Sequence, residues 1–209
     1  MTQYDSGIFN CKSLQAAKEI ILTAENGVPT EKRWAEETAW LLQLLCRHFT
    51  KPKGLVLDFG CGVGRMSNPL VALGHSVVGV DASENMRRFA NEEVMGEAFT
   101  AISPAMLDQL LDAGLQFDLA LSVWVLQHCY DLIGDAGKII RALKPGGGLF
   151  IVDMNHRAVP TNAGWVNDGK NVFSHLSQEL ELVAKYRFDL AGAPANLRQH
   201  AWIGYFTKP

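Results

Sequence analysis

Val56-Leu-Asp-Phe-Gly-Cys-Gly-Val-Gly-Arg65 is the stretch on which the reading of this chain turns. A short apolar run, Leu55 to Phe59, ends in three glycines at alternate positions, Gly60, Gly62 and Gly64. A continuous apolar run of this length reads as a strand buried on both faces, as in a parallel sheet. Glycines directly after it let the backbone turn sharply, and let a ligand lie against the main chain with no Cβ in the way. In open parallel sheets, ligands bind beyond the carboxyl ends of the strands, where the strand order reverses. Residues 55–65 are therefore expected to be a first strand and its ligand-binding turn.

The pattern continues in both directions. Upstream, Thr30 is placed to cap a helix from Glu31, with Trp34, Thr38, Leu41, Leu42 and Leu45 at helical spacing, and Lys51-Pro-Lys-Gly54 breaks it. Downstream, a helix over Arg65–Leu73 stops at Gly74. A strand over Ser76–Val80 ends at Asp81, and Ser83 caps a helix over Glu84–Val94. Then come a strand at Ala98–Ile102, a helix at Ala105–Ala113 stopped by Gly114, a strand at Phe117–Val123, a helix at Asp131–Leu143 and a strand at Gly148–Asp153. Residues 154–172 show no period and read as a long loop. Ser174–Leu182 reads as a helix. Val183–Leu190 and His200–Thr207 read as two closing strands, joined without a helix around Gly192-Ala-Pro194. Five strand–helix alternations imply a parallel sheet covered on both faces. The closing hairpin makes the last strand antiparallel to its neighbour.

Bulk properties narrow the function classes. The chain has 209 residues, 48% hydrophobic and 20% charged, which suits one α/β domain with small additions. Its net charge of −3 gives no sign of the basic face that nucleic-acid binders carry. No apolar stretch approaches bilayer length, and the first ten residues have no signal-peptide core. Cys11, Cys46, Cys61 and Cys129 form no C-x-x-C pair, and His48, His75, His175 and His200 have no partner at metal spacing. These features lead to the expectation of a cytoplasmic protein with reduced thiols that binds neither membrane nor nucleic acid.

The glycine spacing discriminates between ligands. Asp81, about twenty residues beyond the loop, is placed to accept hydrogen bonds from both hydroxyls of a ribose. A nicotinamide dinucleotide would satisfy that as well, but its fingerprint is G-x-G-x-x-G, which admits a pyrophosphate over a helix N-terminus. Here the glycines run G-x-G-x-G and Arg65 follows. Asp58 before the loop also disfavours a diphosphate and suits a cation or amine.

Residues 55–65 resemble the first motif of the class I S-adenosylmethionine-dependent methyltransferases, D-x-G-x-G-x-G. Val77-Val-Gly-Val-Asp-Ala-Ser83 is similar to the second-strand motif with its ribose-binding acid. Phe117-Asp-Leu-Ala-Leu-Ser122 is similar to the fourth-strand motif, and Leu143-Lys-Pro-Gly-Gly147 to the turn before the fifth strand. Four motifs in order span about residues 34–207. The resemblance implies an α/β, Rossmann-like, seven-stranded and mostly parallel sheet with helices on both faces and an antiparallel last strand. It implies S-adenosylmethionine as cofactor and S-adenosylhomocysteine as product. Residues 1–50 would be an N-terminal helical segment serving as a lid over cofactor and substrate, and residues 51–209 the cofactor-binding methyltransferase domain.

Site roles follow by position. Gly60, Gly62 and Gly64 would shape the turn under the methionine portion. Asp58 would order the loop and the amino group, and Asp81 would hold the ribose. Ala82, Ser83 and Met86 would lie near ribose and adenine, and Ser122 and Val123 would approach through backbone groups. Many relatives carry an acid after the third strand for the adenine amine. This chain has Ser103-Pro-Ala-Met106 there, so Ser103 or the backbone at Ala105 would substitute. Arg65 either contacts the cofactor carboxylate or is a solvated residue of the first helical turn.

Methyl transfer needs mainly positioning, and a base only where the acceptor must lose a proton. His128, just past the fourth strand, is the candidate base, with a reference pKa of ~6.5. The alternative is that it caps or packs the following loop. Asp153, Asn155 and His156 follow the fifth strand as a second polar group. No acid ends the fourth strand, so no metal is expected. Ser122-Val-Trp-Val125 lacks the Asn/Asp-Pro-Pro-aromatic motif of base N-methyltransferases. Cys129 lacks a preceding proline, and no glutamate pair follows Val123. A small-molecule, sugar or natural-product acceptor, free or carrier-bound, is what remains. Substrate contacts would come from the N-terminal helices and loop 154–172, which carries Arg157, Asn162, Trp165 and Asn167. Trp165 either covers an acceptor ring or packs onto its own domain, and Trp34 either overlies the cofactor or is core. Three other readings compete: a polyamine-synthase-like transferase, for which Asp118 lies at the wrong end of its strand; an NAD-linked oxidoreductase; and a non-catalytic cofactor-binding partner subunit.

Overall fold

Alternation along the first strand, β1 (Leu55–Phe59), decides the layers. Val56 faces one side of the sheet and Leu57 the other, and each joins a separate buried cluster. The computed structural model describes residues 3–24 and 28–209. Residues 1–2 and 25–27 of the expected N-terminal segment 1–50 lie outside the described residues.

The elements run α1 (Leu14–Ile21), α2 (Thr30–Cys46), β1, α3 (Ser67–Ala72), β2 (Ser76–Val80), α4 (Glu84–Glu93), β3 (Phe99–Ile102), α5 (Pro104–Asp112), β4 (Phe117–Val123), α6 (Leu132–Ala142) and β5 (Leu143–Met154). They continue with β6 (Val159–Thr161), β7 (Gly164–Val166), α7 (Val172–Leu176), β8 (Glu181–Arg187), α8 (Ala195–His200) and β9 (Ala201–Thr207). Seven strands form one sheet in the order β3-β2-β1-β4-β5-β9-β8. The strands β3, β2, β1, β4 and β5 pair in parallel, and β9 runs antiparallel to both β5 and β8. The order reverses between β1 and β4, so the glycine turn after β1 opens onto the switch point.

One face packs Leu57, Ala120, Leu149, Ile151 and Phe206 against α5, α6 and α7. The other packs Val56, Leu121, Phe150, Val152 and Ile203 against α2, α3 and α8. Helix starts follow their caps: Ser83 Oγ accepts from Met86 N, Ser103 Oγ from Met106 N and Asp131 Oδ1 from Gly134 N. Among the described residues no helix is long and apolar enough to cross a membrane.

Four local expectations are corrected. Thr30 does not cap α2. It is the first helical residue, and its hydroxyl donates to Leu22 O at 2.8 Å. Loop 154–172 contains the hairpin β6–β7, whose strands of three residues are too short to show a period. The expected helix Ser174–Leu182 begins earlier and ends at Leu176, because Asn171 caps it and pairing with β9 takes Glu181 and Leu182 into β8. The last two strands are joined through α8, which buries Leu197, rather than through a tight hairpin.

Gly64 shows how tightly the layers meet. Its φ is +80°, and a Cβ there would stand 2.2 Å from Val94 Cγ2, just past the end of α4. Gly64→Ala is expected to cost about 2–4 kcal/mol, combining left-handed strain with overpacking. A shift of the urea midpoint at unchanged slope would report it.

Candidate functional site

The turn after β1, the end of β2 and the loops after β4 and β5 enclose a cavity of about 890 Å³. That is within the usual range for small-molecule sites, about 300–1,000 Å³. Asp81 organises one end. Its Oδ2 accepts from Gly62 N at 3.0 Å and its Oδ1 from Ser83 N at 2.8 Å, so one carboxylate ties the glycine turn to the start of α4. Burial raises its pKa, and those two N–H donors oppose the rise. Gly62 takes φ +55°, and a Cβ on it would stand 2.6 Å from Ile21 Cδ1. The bare backbone is thus needed for the turn and for the close approach of α1.

Asp58 is buried at the end of β1, and Ser67 Oγ donates to it at 2.6 Å. Burial lifts its pKa to about 6, against the pull of Ser67 and Arg65.

A buried ionic cluster forms one wall. Glu37 of α2 is 1% exposed. Its Oε1 accepts from Trp124 Nε1 at 2.7 Å and lies 3.4 Å from Arg65 Nη1, and its Oε2 accepts from Arg33 Nη2 at 3.3 Å. Arg65 also donates to Thr38 Oγ1 at 3.3 Å, and Arg33 to Thr23 O at 2.6 Å. Arg65 also faces the Asp58 carboxylate, and both arginines line the cavity. The solvated reading of Arg65 is thereby corrected: it is 6% exposed, and burial depresses its pKa. Trp34 stands 5.8 Å from the Arg65 guanidinium. Trp124 holds φ +63°, a left-handed conformation uncommon outside glycine, at the mouth of β4. Arg33, Glu37 and Trp124 were missed in the sequence. The legible signal was a charged i,i+4 pair, Arg33 and Glu37, in line with the apolar stripe through Leu41.

The opposite end is built around His128. Its Nδ1–H donates to Ala158 O at 2.7 Å, and its Nε2 accepts from the Gln127 amide at 2.9 Å. Burial lowers its pKa, so the ring is neutral at neutral pH. Phe9 and Trp165 stand against it with ring centroids at 5.7 and 5.1 Å. Arg157 is 2% exposed. Its guanidinium donates to Leu126 O, Cys129 O and Asp168, stapling the loop after β4 to the loop after β5. It lines the cavity with its guanidinium already engaged by these three partners.

Of the residues singled out in the sequence, Asp58, Gly60, Gly62, Arg65, Asp81, Ala82, Ser83, Met86, Val123 and His128 line this one cavity. Gly64, Ser103 and Ser122 do not. Gly64 faces Val94, Ser103 caps α5 while its neighbour Pro104 lines the cavity, and Ser122 Oγ is buried with no hydrogen-bond partner. Asp118 sits at the far end of β4, paired with Lys51 at 2.8 Å and Lys144 at 2.7 Å, away from the cavity.

Asp153 ends β5 fully buried. Its Oδ1 accepts from Met154 N at 2.7 Å, and its Oδ2 has no partner. Burial raises its pKa to about 7. The folded pKa exceeds the unfolded value, so folding favours the protonated acid. Stability is full below about pH 4 and is lost as pH rises through 7. Asp153→Asn is therefore expected to stabilise the protein by roughly 2–4 kcal/mol at pH 8 and by little at pH 4. Denaturation at the two pH values checks this.

The comparisons agree with the geometry. Residues 57–151 match the family described as Methyltransferase domain. A ubiquinone biosynthesis O-methyltransferase of Caulobacter vibrioides is 36% identical over 106 residues, 48% of this chain and 40% of that protein. The chain spans about half or less of the length of the curated relatives it matches. The N-methyltransferase NodS of Bradyrhizobium japonicum, solved with S-adenosylhomocysteine, superposes with a TM-score of 0.68 at 17% identity, over 92% of this chain and 97% of that one. A TehB-like methyltransferase of Corynebacterium glutamicum gives 0.58 at 23% identity, over 82% and 87%. Residues 57–151 thus match a methyltransferase domain, and the fold around them superposes on solved methyltransferases.

Proposed function

We propose that this protein transfers a methyl group from S-adenosylmethionine to a hydroxyl oxygen of a small planar acceptor. The observation that carries this reading is one cavity with a ribose-type acid over a glycine turn at one end and an aromatic wall of Phe9, His128 and Trp165 at the other. The names of the curated relatives support oxygen as the acceptor atom.

The residues fit the cofactor. The Asp81 carboxylate keeps lone pairs for the ribose hydroxyls. Arg33 and Arg65 would hold the carboxylate of the methionine portion, and Asp58 its amino group. When bound, the cofactor supplies an electrophilic methyl on a sulfonium, and the protein's work is to hold the acceptor oxygen in line behind it.

His128 is the group to hold or take the acceptor proton. Its Nε2 lone pair is engaged by the Gln127 amide. Proton uptake there requires that amide to rotate and present Oε1, which is buried and unpartnered in the present orientation, to the new N–H. Within the segment 1–50, the described residues Tyr4, Phe9, Asn10 and Ile21 line the cavity and would form the lid.

A calorimetric titration with S-adenosylmethionine, S-adenosylhomocysteine and NAD tests the cofactor half. Micromolar binding of the first two and none of NAD is expected. Failure of folded protein to bind either sulfur compound would overturn the reading. Turnover of phenolic acceptors against amines then tests the acceptor half. Activity arising only when a second protein is added would favour the non-catalytic partner subunit instead.

A further inference from the structure

We propose that residues 3–10 are a strap linking the two ends of the cavity, so that cofactor held beside Asp81 closes Phe9 onto the acceptor wall. The inference deepens the proposed function and rests on its placement of the cofactor.

The strap is anchored at two distant places. At one end, Asn10 Oδ1 accepts from Ser83 Oγ at 3.3 Å and from Asn85 Nδ2 at 3.0 Å, directly after Asp81. At the other, the chain adds to the β6–β7 hairpin: Asp5 N donates to Pro160 O at 3.1 Å, Asn162 N to Gln3 O at 2.9 Å, and Gln3 N to Asn162 Oδ1 at 3.0 Å. Between the anchors, Ser6, Gly7 and Phe9 line the cavity. Phe9 meets Trp165 of β7 at 6.2 Å and His128 at 5.7 Å, and Tyr4 meets Tyr130 at 5.3 Å.

The strap and β7 bring little buried surface to this pairing, whereas β6 buries Val159 and Pro160. The 3-10 turn Ser6–Phe9 buries no residue, and β7 is exposed along its length. Segments with few buried contacts and exposed backbone hydrogen bonds open at low free-energy cost. A ligand that adds contacts to the strap at the Asn10 end lowers the free energy of its closed form. The same closed form holds Phe9 against His128 and Trp165. Cofactor and acceptor sites therefore bias one two-state element, and each ligand tightens the other by the same factor. Asn10 acts as a positioning residue, and Phe9 and Trp165 select a flat acceptor.

Amide hydrogen exchange reads the strap without any acceptor. The Asp5 and Asn162 amides each bond across the strap–hairpin seam. S-adenosylhomocysteine is expected to slow exchange at both by about tenfold, within the usual range for coupled sites. Asn10→Ala, which removes the bonds to Ser83 and Asn85, should weaken S-adenosylhomocysteine binding, and at saturating ligand the slowing should be lost. Unchanged exchange at both amides in wild-type protein that calorimetry shows to be saturated would overturn the proposal. So would retention of the full effect in Asn10→Ala. Absence of S-adenosylhomocysteine binding would overturn it together with the cofactor reading, and calorimetry distinguishes that failure from the others.

Discussion

Asp81→Ala should weaken S-adenosylhomocysteine binding by a hundredfold or more while leaving the protein folded. The carboxylate ends β2 and accepts from the Gly62 and Ser83 backbone amides at 3.0 and 2.8 Å. Its remaining lone pairs face the cavity, where two ribose hydroxyls would each make a charge-assisted hydrogen bond. Such bonds contribute about 1.5–3 kcal/mol each, and every 1.4 kcal/mol is about tenfold in affinity. Truncation also releases the glycine turn from the start of α4, so the bound loop geometry must be ordered at the ligand's expense. Calorimetry on wild type and variant measures the loss. An unchanged dissociation constant would remove Asp81 from the cofactor site and with it the ribose assignment.

Glu37→Ala should destabilise the fold by about 3–5 kcal/mol, the cost of removing one partner from a buried ion pair. Glu37 is almost fully enclosed, and the Arg33 and Arg65 guanidiniums share its two oxygens. Without it, two like charges face each other with little solvent to screen them, and Trp124 Nε1 loses its acceptor. Glu37→Gln keeps an acceptor for Trp124 but not the charge, and should fall between wild type and alanine. Thermal and urea denaturation measure the series. A loss below about 1 kcal/mol for alanine would mean that water enters the cluster freely, as at an exposed pair.

How much of this was legible follows from the range of each interaction. β1, β2 and β4 were read at their observed ends, because a strand buried on both faces shows a continuous apolar run bounded by turn residues. The cap at Ser83 was legible because capping is local, a side chain bonding a backbone three residues on. The glycine turn and Asp81 were legible because their spacing is imposed by one ligand on consecutive elements.

The rest was set at a distance. Arg65 read equally as solvated or functional, since its burial depends on Glu37, from a helix whose outer face is ordinary surface. The β6–β7 hairpin was invisible because three-residue strands carry no period, and it is completed by chain from residues 3–5. The joint between β8 and β9 gained a helix because Leu197 has a core to enter.

The sequence by itself determined the strand–helix alternation, the antiparallel last strand and the acidic, glycine-lined turn. These arise from contacts between near neighbours, or from burial so complete that composition alone reports it. Only the tertiary structure decided which charges are buried together, that His128 is neutral with both ring nitrogens engaged, and that the N-terminal strap meets the hairpin over the cavity. Those properties belong to groups brought together across long stretches of chain. Their desolvation and hydrogen bonds exist only once the sheet has closed around them.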